Sequence, residues 1–235
     1  MSDKHLSTQF DAELSDISSR VLEMGGLVEA QLAQAVYALQ HLSPETALQV
    51  LEQEARVNRR EVEIDRDLCA IIARRQPTAR DLRLLIAVSK AIGNLERAGD
   101  EASRIARTVR RLIDSGMAHR LRATVADLSF EADLALRLLR QSLDAFARLD
   151  AADAFAAIQK DHAIDLEFDG LLRKLVTYMM EDPRTISISI DLVFVAKAIE
   201  RVGDHAKNVA EQVIYVVKGA DVRHTPLGEV ASVVS

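Results

Sequence analysis

Glu96 and Asp100 stand four residues apart with Gly99 just before the aspartate, and 104 positions later Glu200 and Asp204 repeat the pattern behind Gly203. On a helix this spacing stacks both carboxylates on one face, one turn apart. The same offset relates Glu61 and Asp65 to Asp165 and Asp169. Four acids on two helices of each half would form a ring of oxygen donors, and all-carboxylate donors suit hard ions such as Mg²⁺, Mn²⁺ or iron. Taken singly, each pair reads as a solvated helix face, and Arg97 with Glu101 as an ordinary surface ion pair. Recurrence on two helices in two halves is what gives the metal reading its weight.

The chain holds six histidines and one cysteine. His162 lies one turn from Asp165 and His205 follows Asp204. Neither completes the Glu-x-x-His pair of ferritin-like di-iron sites, and each reads as a surface or bundle-edge residue. Cys69 alone permits no intrachain disulfide or thiolate zinc site, and between Leu68 and Ile71 it reads as a small core residue. Gly-rich phosphate loops, nucleophile elbows and Ser/His/Asp arrangements are missing, which favours a binding or regulatory protein over an enzyme. A net charge of −6 provides no basic footprint for nucleic acid. The polar start Met1–Phe10 and the lack of long apolar runs point to a cytoplasmic protein.

The elements that must position these acids are helices. Phe10, Leu14, Ile17, Val21, Met24, Val28, Leu32, Ala35 and Leu39 recur at helical spacing along a first helix. Gly25-Gly26 interrupts it, as a kink or a close helix contact would. Ser43-Pro44 starts a second helix, with Ser as N-cap and Pro in the first turn, that runs to about Arg75. Its apolar seam reads Val50, Val57, Ile64, Leu68 and Ile71, with Glu54 and Glu61 falling on it. After Gln76-Pro77-Thr78, where Thr78 and Asp81 resemble a capping box, a third helix extends to about Asp114. The second half repeats the plan: helices over about His119–Leu149, Asp150–Glu181 and Thr185–Lys218, with Pro183 matching Pro77. Thr185–Ile190 alternates like a strand, yet a lone strand would have nothing to pair with, so helix is expected. The fold expected is all-α: six helices in two tandem, pseudo-symmetric three-helix bundles over residues 1–116 and 117–218, then a short polar, frayed tail over 219–235.

Residue chemistry alone leaves three functions open: a metal-binding regulator, a carboxylate-metal enzyme, and a metal-free helical adaptor. At Met24-Gly-Gly-Leu-Val-Glu29, Ile72–Leu84, Leu95–Asp100, Val176–Thr185 and Ile199–Asp204, nearly the whole chain closely resembles the PhoU family of phosphate-signalling regulators. The resemblance implies an elongated cytoplasmic homodimer that restrains the phosphate-starvation response without being an enzyme. It implies coupling between the ATPase subunit of a high-affinity phosphate ABC transporter and a membrane sensor histidine kinase with a PAS domain. Phosphate sufficiency would hold that kinase in its inactive or phosphatase state. The family's metal-binding acidic motif maps onto Glu96, Asp100, Glu200 and Asp204. Ala98 and Val202 stand where the family often has Ile, and leave the acids untouched.

Overall fold

The computed structural model describes residues 8–114 and 122–235. The bundle boundary expected at residue 116, and the start of the fourth helix at His119, lie outside them. Among the described residues all regular structure is helical. The long helices are α1 (Thr8–His41), α2 (Pro44–Arg75), α3 (Ala79–Asp114), α4 (Arg122–Arg148), α5 (Ala151–Glu181) and α6 (Ile186–Lys218). A 3-10 turn at Pro183–Thr185 joins α5 to α6.

Caps set the chain's breaks as their chemistry requires. The Ser43 hydroxyl accepts from the Thr46 N–H, and the Asp150 carboxylate accepts from Ala152 and Asp153 N–H, each satisfying orphan donors of a helix start. Gln76 and Gly219 adopt left-handed backbone at the ends of α2 and α6, the conformation that stops a helix. The β-branched run through Ile190 is helical, because its apolar members meet the helix period and Ile188 and Leu192 are buried.

α1, α2 and α3 pack together, as do α4, α5 and α6, and the most extensive single contact is α3 against α6. α1 also touches α4. The α3–α6 crossing is antiparallel: Arg111 reaches Asp191 near one end, Glu101 meets Arg201 mid-way, and Asn94 meets Asn208 at the other. The apolar periodicity of α1 and the seam of α2 lie wholly in one continuous core.

Two expectations are corrected. There are seven helices among the described residues: α7 (Leu227–Val234) packs on α5 and α6, with Val222 and Val230 only 3% and 2% exposed. The tail is anchored because those valines find apolar neighbours that a sequence window cannot display. Cys69 is exposed, since Leu68 and Ile71 occupy the inward positions of that turn and leave it facing solvent.

The two adjacent glycines of α1 have opposite roles. A Cβ on Gly25 would run into a methyl of Leu143 on α4, whereas one on Gly26 meets nothing within 4 Å. The helix is unbroken through both, so close approach of α1 to α4 is the reason for Gly25. Gly25→Val is expected to cost about 1–3 kcal/mol by overpacking, and Gly26→Ala to gain about 1 kcal/mol of helix propensity. Urea unfolding of both variants checks this; equal signs would reject it.

Candidate functional site

The acids of the first half gather where α2 meets α3. Glu61 and Glu96 are half-buried and Asp100 is exposed. All three hold protons more tightly than free carboxylates. Partial burial is the main cause, followed by repulsion: from Asp65 and Asp100 on Glu61, from Asp100 and Glu61 on Glu96, and from Glu54 on Asp100. Mutual repulsion of this kind requires the side chains to be neighbours. Glu54 is partly neutralised by Arg107, whose guanidinium lies 2.6 Å from it.

In the second half Asp204 is half-buried and Asp165 exposed. Burial raises both proton affinities, helped by repulsion from Asp161 and Asp204 on Asp165, and from Glu200 and Asp161 on Asp204. Asp161, unnoticed in the sequence, is 5% exposed and accepts from Lys207 at 2.7 Å. Glu200 is held by Lys197 at 2.6 Å. Asp65 thus joins the first group through Glu61, whereas the Asp169 side chain is exposed and pairs with nothing among the described residues.

The acids therefore line the edges of the bundles instead of facing the core. Glu54 and Glu61 flank the buried seam and do not enter it. Among the described residues, no three His, Cys, Asp or Glu side chains converge as a ready-made chelating group. An ion at either cluster would need these carboxylates to swing together.

Three features escape a linear reading. Glu101 is 3% exposed and pairs with Arg201 across the α3–α6 contact at 3.0 Å and with Arg104 at 3.2 Å, instead of forming the surface pair expected with Arg97. Burial raises its proton affinity against the pull of those arginines. Its repeat counterpart His205 is also buried, not at a bundle edge, and its Nδ1 lies 3.2 Å from the Asn94 Oδ1. Asn94 Oδ1 accepts from Asn208 as well, so His205 donates through Nδ1 and its buried Nε2 is left without a partner. Burial, aided by Arg201 and Arg97, lowers its pKa to about 4, so the ring is neutral at physiological pH. The third feature is Glu131 on α4, 1% exposed with both carboxylate oxygens unpartnered. The α5–α6 side of the α3 contact also carries an open cleft of about 770 Å³. Asn94, Arg97, Asp161, Lys207 and Gln212 line it, and Arg223 and Val230 of the C-terminal segment form its wall.

Residues 21–109 and 129–213 each match the model of the PhoU domain. The chain is 47% identical over 224 residues to a "phosphate-specific transport system accessory protein PhoU homolog" from Burkholderia sp, covering 95% of both proteins. It is 43% identical to the Escherichia coli K12 protein of that system, PhoU, over 94% of this chain and 90% of that one. The crystal structure of PhoU from Pseudomonas aeruginosa superimposes with a TM-score of 0.84 at 45% identity, covering 90% of this chain and all of that one. PhoU from Streptococcus pneumoniae gives 0.82 at 27% identity, over 91% and 99%. Paired acidic helices, an antiparallel α3–α6 seam and two successive domain matches lead to one conclusion: this chain belongs to the PhoU family.

Proposed function

We propose that the protein is a non-enzymatic accessory of a phosphate-specific transport system that restrains phosphate-starvation signalling. The observation that carries this is 47% identity over 224 residues with a relative named as a phosphate-specific transport system accessory protein. In this reading it works in the cytoplasm as a homodimer of two pseudo-symmetric bundles, residues 1–116 and 117–218. It contacts the ATPase subunit of the transporter and a sensor histidine kinase with a PAS domain. Among the described residues no helix is long and apolar enough to cross a membrane, which agrees with attachment through partners. Deleting the gene in the source cell and measuring alkaline phosphatase in high phosphate tests the reading. Derepression is expected; full repression with normal phosphate uptake would reject it.

The acidic clusters are proposed to take a hard divalent or trivalent ion: Glu61, Asp65, Glu96 and Asp100 in one half, Asp165, Asp169, Glu200 and Asp204 in the other. What supports this is that partial burial first, and like-charge crowding second, raise the proton affinity of five of these eight acids. A multivalent cation would relieve that repulsion and stabilise the fold by mass action. Mn²⁺ at 100 times its dissociation constant is expected to add about 2.7 kcal/mol, and Glu96→Ala/Asp100→Ala to lower the metal content of purified protein. Equal metal content in variant and wild type would remove the assignment.

A further inference from the structure

The outer face of α6 near its start carries Ile186, Ile190 and Phe194 at four-residue steps, and they are 42%, 44% and 54% exposed. Eight residues of helix rise about 12 Å and turn about 80° beyond two full turns, so this is one apolar stripe that winds gradually round the helix. Met180, 80% exposed at the end of α5, extends the apolar surface at the same end of the hairpin. Scattered exposed apolar residues are ordinary, but an aligned stripe on a single helix marks a contact surface.

Exposed Glu181 and Asp114 end α5 and α3 at this side, but the ion pairs beside the stripe turn their cations outward. Lys197, Arg201, Arg104 and Arg111 belong to α6 or to α3, which packs antiparallel beside it. Each is ion-paired, yet in every pair the acid lies inward and the cation outward. Arg104 and Arg201 are 49% and 40% exposed over a Glu101 side chain that is 4% exposed. Lys197 is 46% exposed over Glu200 at 12%, and Arg111 is 56% exposed over Asp191 at 25%. A chain with a net charge of −6 thus presents a cationic border beside its apolar stripe.

The repeat sharpens the contrast. Leu82, Ile86 and Lys90 occupy the equivalent places on α3, and all three are half-buried. Residues following α6 run there: Gly219 lies against the Arg83 guanidinium, and Val222 shares the cleft with Lys90. Among the described residues the chain supplies cover for one half only, and its own α7 is a short helix seated on α5 through an apolar residue, Val230.

We infer that the Ile186–Ile190–Phe194 face is a docking site for an amphipathic helix of a partner protein. That helix carries apolar residues at i and i+4 and Asp or Glu on its flanks. The apolar stripe supplies burial, and the outward cations select acidic flanks and steer the encounter. This stands on the surface itself and not on the phosphate reading. The test is photo-crosslinking from p-benzoylphenylalanine placed at Ile190 or Phe194 of the full chain in its source cell, with the adduct mapped to a peptide. An adduct on an acidic, i/i+4 apolar helical segment of another protein is expected, with a yield at least tenfold above that from exposed Val62 on α2. Lys197→Glu/Arg111→Glu is expected to cut that yield at least tenfold while circular dichroism melting stays cooperative. Adducts chiefly on lipid, on a second copy of this chain or on a segment without acids would overturn the inference, as would a yield no higher than at Val62.

Discussion

Glu131→Leu is expected to stabilise the protein by about 2–4 kcal/mol at pH 7 and to flatten its stability between about pH 5 and 9. Glu131 is buried on α4, neither carboxylate oxygen has a partner, and burial together with repulsion from Glu200 and Glu167 raises its pKa to about 9. In the unfolded chain the group titrates near the ordinary glutamate value of 4.5. A pKa raised on folding means the folded state binds the extra proton. Its contribution is fully present below about pH 4.5 and is lost as pH rises through about 9. At pH 7 the folded protein must take up a proton across about 2.5 units, worth roughly 3 kcal/mol. Leucine removes that burden and the unpartnered oxygens together. The first half already holds this solution: counted from the matching N-caps Ser43 and Asp150, the equivalent position is Met24, which is fully buried in the core. Urea unfolding at several pH values checks the expectation, and matching pH slopes for wild type and variant would reject it. Glu131→Gln separates charge from packing, because it too removes the pH slope while keeping the shape.

The second large effect runs the other way. Lys207→Met is expected to cost about 2–4 kcal/mol, because removing one partner of a buried pair leaves an uncompensated charge. Asp161 is the buried member, with its side chain 6% exposed and Lys207 Nζ at 2.7 Å. The estimate sits below the usual range for fully buried pairs because the Lys207 side chain is 33% exposed and partly screened. Asp161→Asn in the Lys207→Met background is expected to recover most of the loss, since the orphan charge goes with it. Denaturant midpoints of the two variants decide the matter. A single variant as stable as wild type would show that the pair is merely superficial.

Much of the helical plan was legible because its signals are local. The α1 stripe from Phe10 to Leu39 follows the helix period, and every member is buried. Ser43, Asp150 and the two prolines mark breaks that cap chemistry enforces over three or four residues. The Glu96/Asp100 repeat at Glu200/Asp204 was legible, whereas Glu61 and Asp65 are out of register with Asp165 and Asp169, because Val57 and Ile64 of α2 correspond to Ile164 and Leu171 of α5. The depth of these acids was not legible. Positions flanking a seam differ from positions on it by one 100° step, and only the packing of the neighbouring helices determines which of the two is covered. Cys69 was misplaced for the same reason, and α7 was missed because eight residues carry too little periodicity to stand out.

By itself the amino-acid order determined the six long helices, the breaks at Ser43, Pro77, Asp150 and Pro183, and the chain's kinship with PhoU, since each depends on residues near one another in sequence or on pattern repeated along it. Tertiary structure alone decided that Glu101 pairs with Arg201, that Lys207 neutralises Asp161, that Glu131 is sealed inside and that Ile190 and Phe194 stay bare. Those outcomes depend on how helices cross. A partner one hundred residues away sets the solvation of a charge, and solvation governs what that charge does.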